Sequence, residues 1–135
     1  MKEKLIRCVL AFIVIFLASC SKEDVLGELD IIKRTGDQNP QKALAMLDSL
    51  EYEIRESSDY TKAKSDLLRI RLSDKSYIMP TSDIPIRKLI KYFEKEGAAA
   101  DKQEVYFYAG SVYRDLQDTP RSLEYFLTWR NLPKN

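Results

Sequence analysis

Residues Gln103 to Phe126 read Q-E-V-Y-F-Y-A-G-S-V-Y-R-D-L-Q-D-T-P-R-S-L-E-Y-F, and their spacing decides the fold. Tyr106, Ala109, Gly110 and Tyr113 fall at i, i+3, i+4 and i+7, which is one stripe of an α-helix. A glycine inside a helix costs about 1 kcal/mol against alanine, so Gly110 needs a packing reason. Close approach of a second helix supplies it. That helix opens at Pro120, which suits a first helical turn, with Thr119 or Asp118 as its N-cap. Ser122 then gives it a small contact residue, and Phe126 fills the space one turn on.

Helix, short polar turn and second helix resemble a tetratricopeptide repeat, whose pattern is W-x2-L-G-x2-Y, then A-x3-F, over about 34 residues. Tyr106 stands at the Trp position and Ala109 at the Leu position, Gly110 and Tyr113 match, Ser122 stands at the Ala position and Phe126 matches. An unrelated helical hairpin in a small bundle is the competing reading. The resemblance implies an architecture without chemistry of its own.

Outward from this hairpin the pattern stays helical. Val25 to Thr35 predicts a first helix, with Val25, Leu29 and Ile32 on one face, and a helix stop at Gly36-Asp37-Gln38-Asn39. Pro40 opens a second helix whose stripe is Ala43, Leu47, Leu50 and Ile54. Gly27 and Asp30 stand where the repeat pattern expects large apolar residues, so this first hairpin reads as an N-terminal cap. Ser57-Ser58-Asp59 is a break and cap before a third helix, Tyr60 to Leu72, with Ala63, Leu67, Leu68 and Ile70 as core candidates. After a linker through Met79-Pro80, Asp83 is the N-cap of a fourth helix carrying Ile86, Leu89, Ile90 and Phe93. Gly97 suits a left-handed C-cap. No segment alternates with the period of a strand. The expected fold is all-α, a solenoid of about three antiparallel hairpins over residues 25–135.

The end of the chain departs from the repeat. Trp129 stands where a small residue is expected, and Pro133 stops any helix. The outer flank of the last hairpin is expected to be bare unless Trp129 and Leu132 fold back over it. A truncated or frame-shifted member of a longer family, or a short protein with an irregular cap, would each read this way.

Residues 1–19 read as a targeting leader. Lys2, Lys4 and Arg7 precede an uncharged run, Cys8 to Leu17, too short for a comfortable membrane span of about 20 residues. L-A-S-C, ending at Cys20, resembles the lipobox of bacterial lipoproteins. That resemblance implies cleavage before Cys20, a diacylglyceryl group and an amide-linked acyl chain on it, and a linker over residues 20–24. An ordinary signal peptide or an uncleaved N-terminal anchor is the alternative. Ser21-Lys22-Glu23-Asp24 is similar to the export signal of Bacteroidetes surface lipoproteins, and equally to a solvated linker. The expected location is the cell envelope, lipid-anchored in the outer membrane, periplasm-facing or surface-exposed. The stretch after the leader resembles tetratricopeptide-repeat lipoproteins of the Bacteroidales.

Composition narrows the chemistry. The chain has 135 residues, enough for one domain, and a net charge of +1. Cleavage would remove three of the 22 basic and one of the 21 acidic residues, leaving −1. Neither value steers the chain to nucleic acid. It has no histidine, which removes the commonest general base and metal ligand at once. The two cysteines, Cys8 and Cys20, offer no disulfide framework after cleavage. Four scattered glycines make no phosphate loop. Glu94, Glu96, Asp101 and Glu104 lack a partner base or ligand spacing and are expected on a solvated face. No cofactor, metal or catalytic activity is expected.

The tetratricopeptide resemblance implies a concave groove lined by the first helix of each pair. Carried onto this sequence, its peptide-binding positions are Glu104, Phe107, Ser111 and Arg114, with Tyr108 at the edge. For Phe107, packing against the preceding hairpin is the competing role. The expected function is a membrane-anchored protein-binding module; the alternative is the sensory input portion of a longer signalling or transcription-regulating protein.

Overall fold

The computed structural model describes residues 1–19 and 24–134, with side chains described for 1–10 and 24–134. Among the described residues it is all-α, with eight helices and no strand. They are α1 (Lys2–Ser19), α2 (Val25–Gln38), α3 (Pro40–Ser49), α4 (Glu51–Arg55), α5 (Asp59–Lys75), α6 (Ile84–Glu96), α7 (Ala99–Asp115) and α8 (Thr119–Asn131). None is long and apolar enough to cross a membrane.

The first hairpin corrects the sequence reading at Gly36. Helix α2 does not stop there but runs on to Gln38. Gly36 is buried, and a Cβ on it would overlap Cδ2 of Leu72 and lie 3.4 Å from Cβ of Ala43. It is therefore a close-approach glycine where α2, α3 and α5 meet. The stop comes at Asn39, whose side chain accepts from the Lys42 amide at 2.9 Å, ahead of Pro40. The expected single helix from Pro40 to Ile54 is broken at Leu50, whose amide donates to the carbonyl of Leu47, three residues back. Leu50 and Ile54 still pack on the hairpin's core.

Helix α5 is central. Ser58 caps it, accepting from the Thr61 amide at 3.2 Å. Ala63 and Leu67 face α6 and α7, whereas Leu68 and Leu72 face α2 and α3. The two apolar clusters of the described residues thus meet on opposite sides of one helix. Each fully buried Leu, Ile or Phe in them contributes about 1.5–3 kcal/mol.

Helices α5 and α7 end alike. In each, a residue in left-handed conformation follows the last turn: Tyr77 at φ 57° and Gln117 at φ 62°. The Ile78 amide donates to Ser73 at 2.9 Å and the Tyr77 amide to Asp74 at 3.1 Å. The Asp118 amide donates to Tyr113 at 2.8 Å and the Gln117 amide to Arg114 at 3.0 Å. Both are Schellman ends that use a non-glycine residue. Gly97 instead has φ −86° and ψ 148°, extended rather than left-handed. Its lack of a side chain lets the chain pass close to Phe93, whose carbonyl oxygen would lie 2.6 Å from a Cβ.

Helix α7 is buried on almost every side, because α5 and α6 cover one flank and α8 the other. Val105, Ala109 and Val112 belong to the core with Leu89 and Phe93 of α6. On the α8 side a Cβ on Gly110 would lie 2.7 Å from the Phe126 ring, and Ser122 Oγ donates to the Gly110 carbonyl at 2.9 Å. Asp118 caps α8 through the Arg121 amide. Trp129 lies inside α8, against Phe107 at 5.2 Å between ring centroids, and Leu132 is half-buried. The carbonyl of Pro133 accepts from Gln103 Nε2 at 2.9 Å, which turns the tail back along α7. Leu123 and Leu127 remain exposed on α8.

Candidate binding surface

The four groove positions expected on α7 part company. Glu104 and Arg114 lie on the side that α7 turns toward α5. Glu104 accepts from Lys33 of α2 at 2.8 Å and sits 3.5 Å from Arg71 of α5. Arg114 donates to Asp74 of α5 at 3.0 Å and to Asp115 at 2.8 Å. Phe107 leaves this side for α8, with ring centroids 5.7 Å from Phe126 and 5.0 Å from Tyr108. It packs on the following helix and against the core cluster that α5, α6 and α7 share. Ser111 is 2% exposed, so it offers nothing to a ligand on the surface. Tyr108, expected at an edge, is buried, and burial pushes its phenol up to about 12. Cys20 lies outside the described residues.

What the α2, α5 and α7 side carries is a chain of ion pairs. Arg71 reaches Asp37 of α2 at 2.7 Å, and Lys75 reaches the same carboxylate at 3.1 Å. Arg71 and Lys75 hold the Asp37 carboxyl below its ordinary value. Arg71 Nε is buried without a partner, so the guanidinium is only partly satisfied. Lys33 to Glu104 joins α2 to α7 across α5, two helices 71 residues apart in sequence at that point.

Asp101 corrects the expectation of a solvated acidic face. It is 3% exposed at the start of α7. Its carboxylate accepts from the Ala98 amide at 3.0 Å, from Tyr60 Oη at 2.9 Å and from Lys64 Nζ at 2.9 Å. Burial raises its pKa, but Lys64 and Tyr60 outweigh burial and hold it below the usual carboxylate value. Glu104 is likewise largely covered, its side chain 16% exposed. Glu94, though exposed, accepts from Tyr106 Oη at 2.7 Å.

The sequence reading missed Lys33, Asp37 and Arg71, and no local pattern marks them: their partners lie on other helices. It also missed a cleft of about 490 Å³ between α5, the linker 76–83 and α6. Tyr77-Ile78-Met79 is a signal for it, since three large apolar residues stand in what composition makes a linker. No group of three or more acidic, histidine or cysteine side chains among the described residues could hold a metal ion. Comparison with protein-family profiles, curated proteins and solved structures found no match.

Proposed function

We propose that this chain is a lipid-anchored helical-repeat protein of the cell envelope that binds another protein or a peptide and has no catalytic activity. The observation that supports it best is the succession of helix contacts. Hairpin α2–α3 meets the next pair through α5, and pair α5–α6 meets hairpin α7–α8 through α7. First helix follows first helix, as in a tetratricopeptide array, where each unit buries its apolar face against its neighbour. The close seam of Gly110, Ser122 and Phe126 agrees with the same repeat. The partner would meet the side formed by α2, α5 and α7, where Glu104 and Arg114 remain of the positions expected from sequence. Anchoring rests on the lipobox resemblance of Leu17-Ala18-Ser19-Cys20, and with it the expected location at the outer membrane, facing the periplasm or the outside.

Two experiments test this. Cys20→Ser should release the protein from membranes and abolish acyl labelling; persistent membrane association would overturn the anchor. A photo-crosslinking side chain at Arg114, which is 56% exposed, should give a discrete protein adduct in cells. The same probe at the exposed Lys91 on α6 should not. Equal adducts at both positions would remove the case for a binding face on the first helices.

A further inference from the structure

We propose that Lys33 and Glu104 form a releasable ionic strap across the face of α2, α5 and α7, so that this face has a closed state, the one described above, and an open state. Its use rests on the reading of that face as the partner's side; its geometry does not. Apolar packing divides the described helices into two bodies that meet at α5. Leu29 and Ile32 of α2, with Ala43 and Leu47 of α3, bury against Leu68 and Leu72 of α5. Leu89 and Phe93 of α6, with Val105 and Ala109 of α7, belong with Ala63 and Leu67 on the other side of α5. Neither cluster contains both α2 and α7. What joins these two helices directly is polar: Lys33 Nζ lies 2.8 Å from Glu104 Oε2. With that pair broken, α2 and α7 are tied through α5, and the two bodies can tilt about it.

Closure and release are both built into the charges. Glu104 has a side chain 16% exposed and faces two cations, Lys33 and Arg71, so its attraction for them is stronger than between charges in open water. Arg71 of α5 stands between the bodies, 2.7 Å from Asp37 of α2 and 3.5 Å from Glu104 of α7. That favours the closed state. Against it, the Lys33 side chain is 34% exposed, so dissolved ions reach the pair and screen it. The closed state also carries a cost beside Glu104, because Arg71 Nε is buried there without an acceptor among the described residues. Opening the face returns that donor to water. The strap is thus a tie between long side chains, set against a penalty that its release removes.

The test is the distance between spin labels, carried on unnatural side chains at the positions of Asp30 in α2 and Lys102 in α7, in the full chain in detergent. Between about 0.01 M and about 1 M salt the Debye length falls from about 30 Å to about 3 Å. The distance distribution should shift longer and broaden over that range. Lys33→Met should show the long, broad distribution already at low salt, and salt should then change it little. Lys33→Arg, which keeps the charge, should behave as the wild type. Arg69→Met breaks the pair of Arg69 with Asp48, which lies within the first body, and should leave the distance unchanged. The wild-type salt series tests the strap even where a variant folds poorly. A distance indifferent to salt would overturn the proposal. So would lengthening with salt that is as large in Lys33→Met, or lengthening in Lys33→Arg or Arg69→Met equal to that in Lys33→Met. No partner takes part, so such a failure leaves the binding face standing, and a failed crosslink at Arg114 leaves the strap standing.

Discussion

Ser122 Oγ donates to the main-chain carbonyl of Gly110 at 2.9 Å, where α8 packs on the backbone of α7 at a residue without a side chain. The carbonyl already serves its own helix, so the serine adds a second acceptor contact that fixes the register of the two helices. The Phe126 ring lies 2.7 Å from where a Cβ at residue 110 would stand.

Gly110→Leu should destabilise the chain by about 1–3 kcal/mol through overpacking. Ser122→Ala should cost about 1 kcal/mol, the net worth of one buried hydrogen bond. Urea unfolding measures both. An unchanged midpoint in Gly110→Leu would mean that α7 and α8 do not touch at this point.

Tyr77→Gly should stabilise the chain by about 0.5–1 kcal/mol. A left-handed conformation costs an ordinary residue about 1–2 kcal/mol, and glycine returns part of that gain through its greater freedom when unfolded. Tyr77 is 92% exposed, so little packing is lost with its ring. Gln117→Gly should act in the same direction at the end of α7, where φ is 62°. A lower melting temperature in both variants would show that the side chains matter more than the backbone strain.

Asp101 should make stability depend on acid. Its folded pKa lies below the unfolded value of about 3.9, so its contribution is complete above that value. It is lost as pH falls from about 4 through the folded pKa. Asp101→Asn leaves Lys64 without its carboxylate and should cost about 3 kcal/mol at neutral pH. The variant's stability should also change less than the wild type's below pH 4. Unfolding curves that stay parallel across that range would show that another carboxylate carries the acid sensitivity.

What the sequence determined by itself is the helical order of the chain and the seam of its last hairpin. Both follow from local rules: apolar residues at helical spacing, prolines and polar caps at helix starts, a small residue wherever two helices must touch. Gly110, Ser122, Phe126, Ile86 and Phe93 were legible for that reason. The tertiary structure decided whatever depends on which helices meet. Gly36 reads as a stop until Leu72 is seen packed against it. Phe107 and Ser111 read as groove residues until α8 covers the first and the interior takes the second. Asp101 reads as solvated until Tyr60 and Lys64, 41 and 37 residues away, close on it. The Lys33 to Glu104 bridge exists only once helices distant in sequence lie side by side, and the cleft beside Asp66 only once the linker 76–83 folds between α5 and α6. A periodic pattern fixes the face that a helix must bury; the neighbour that buries it, and the charges that neighbour brings, are set by packing.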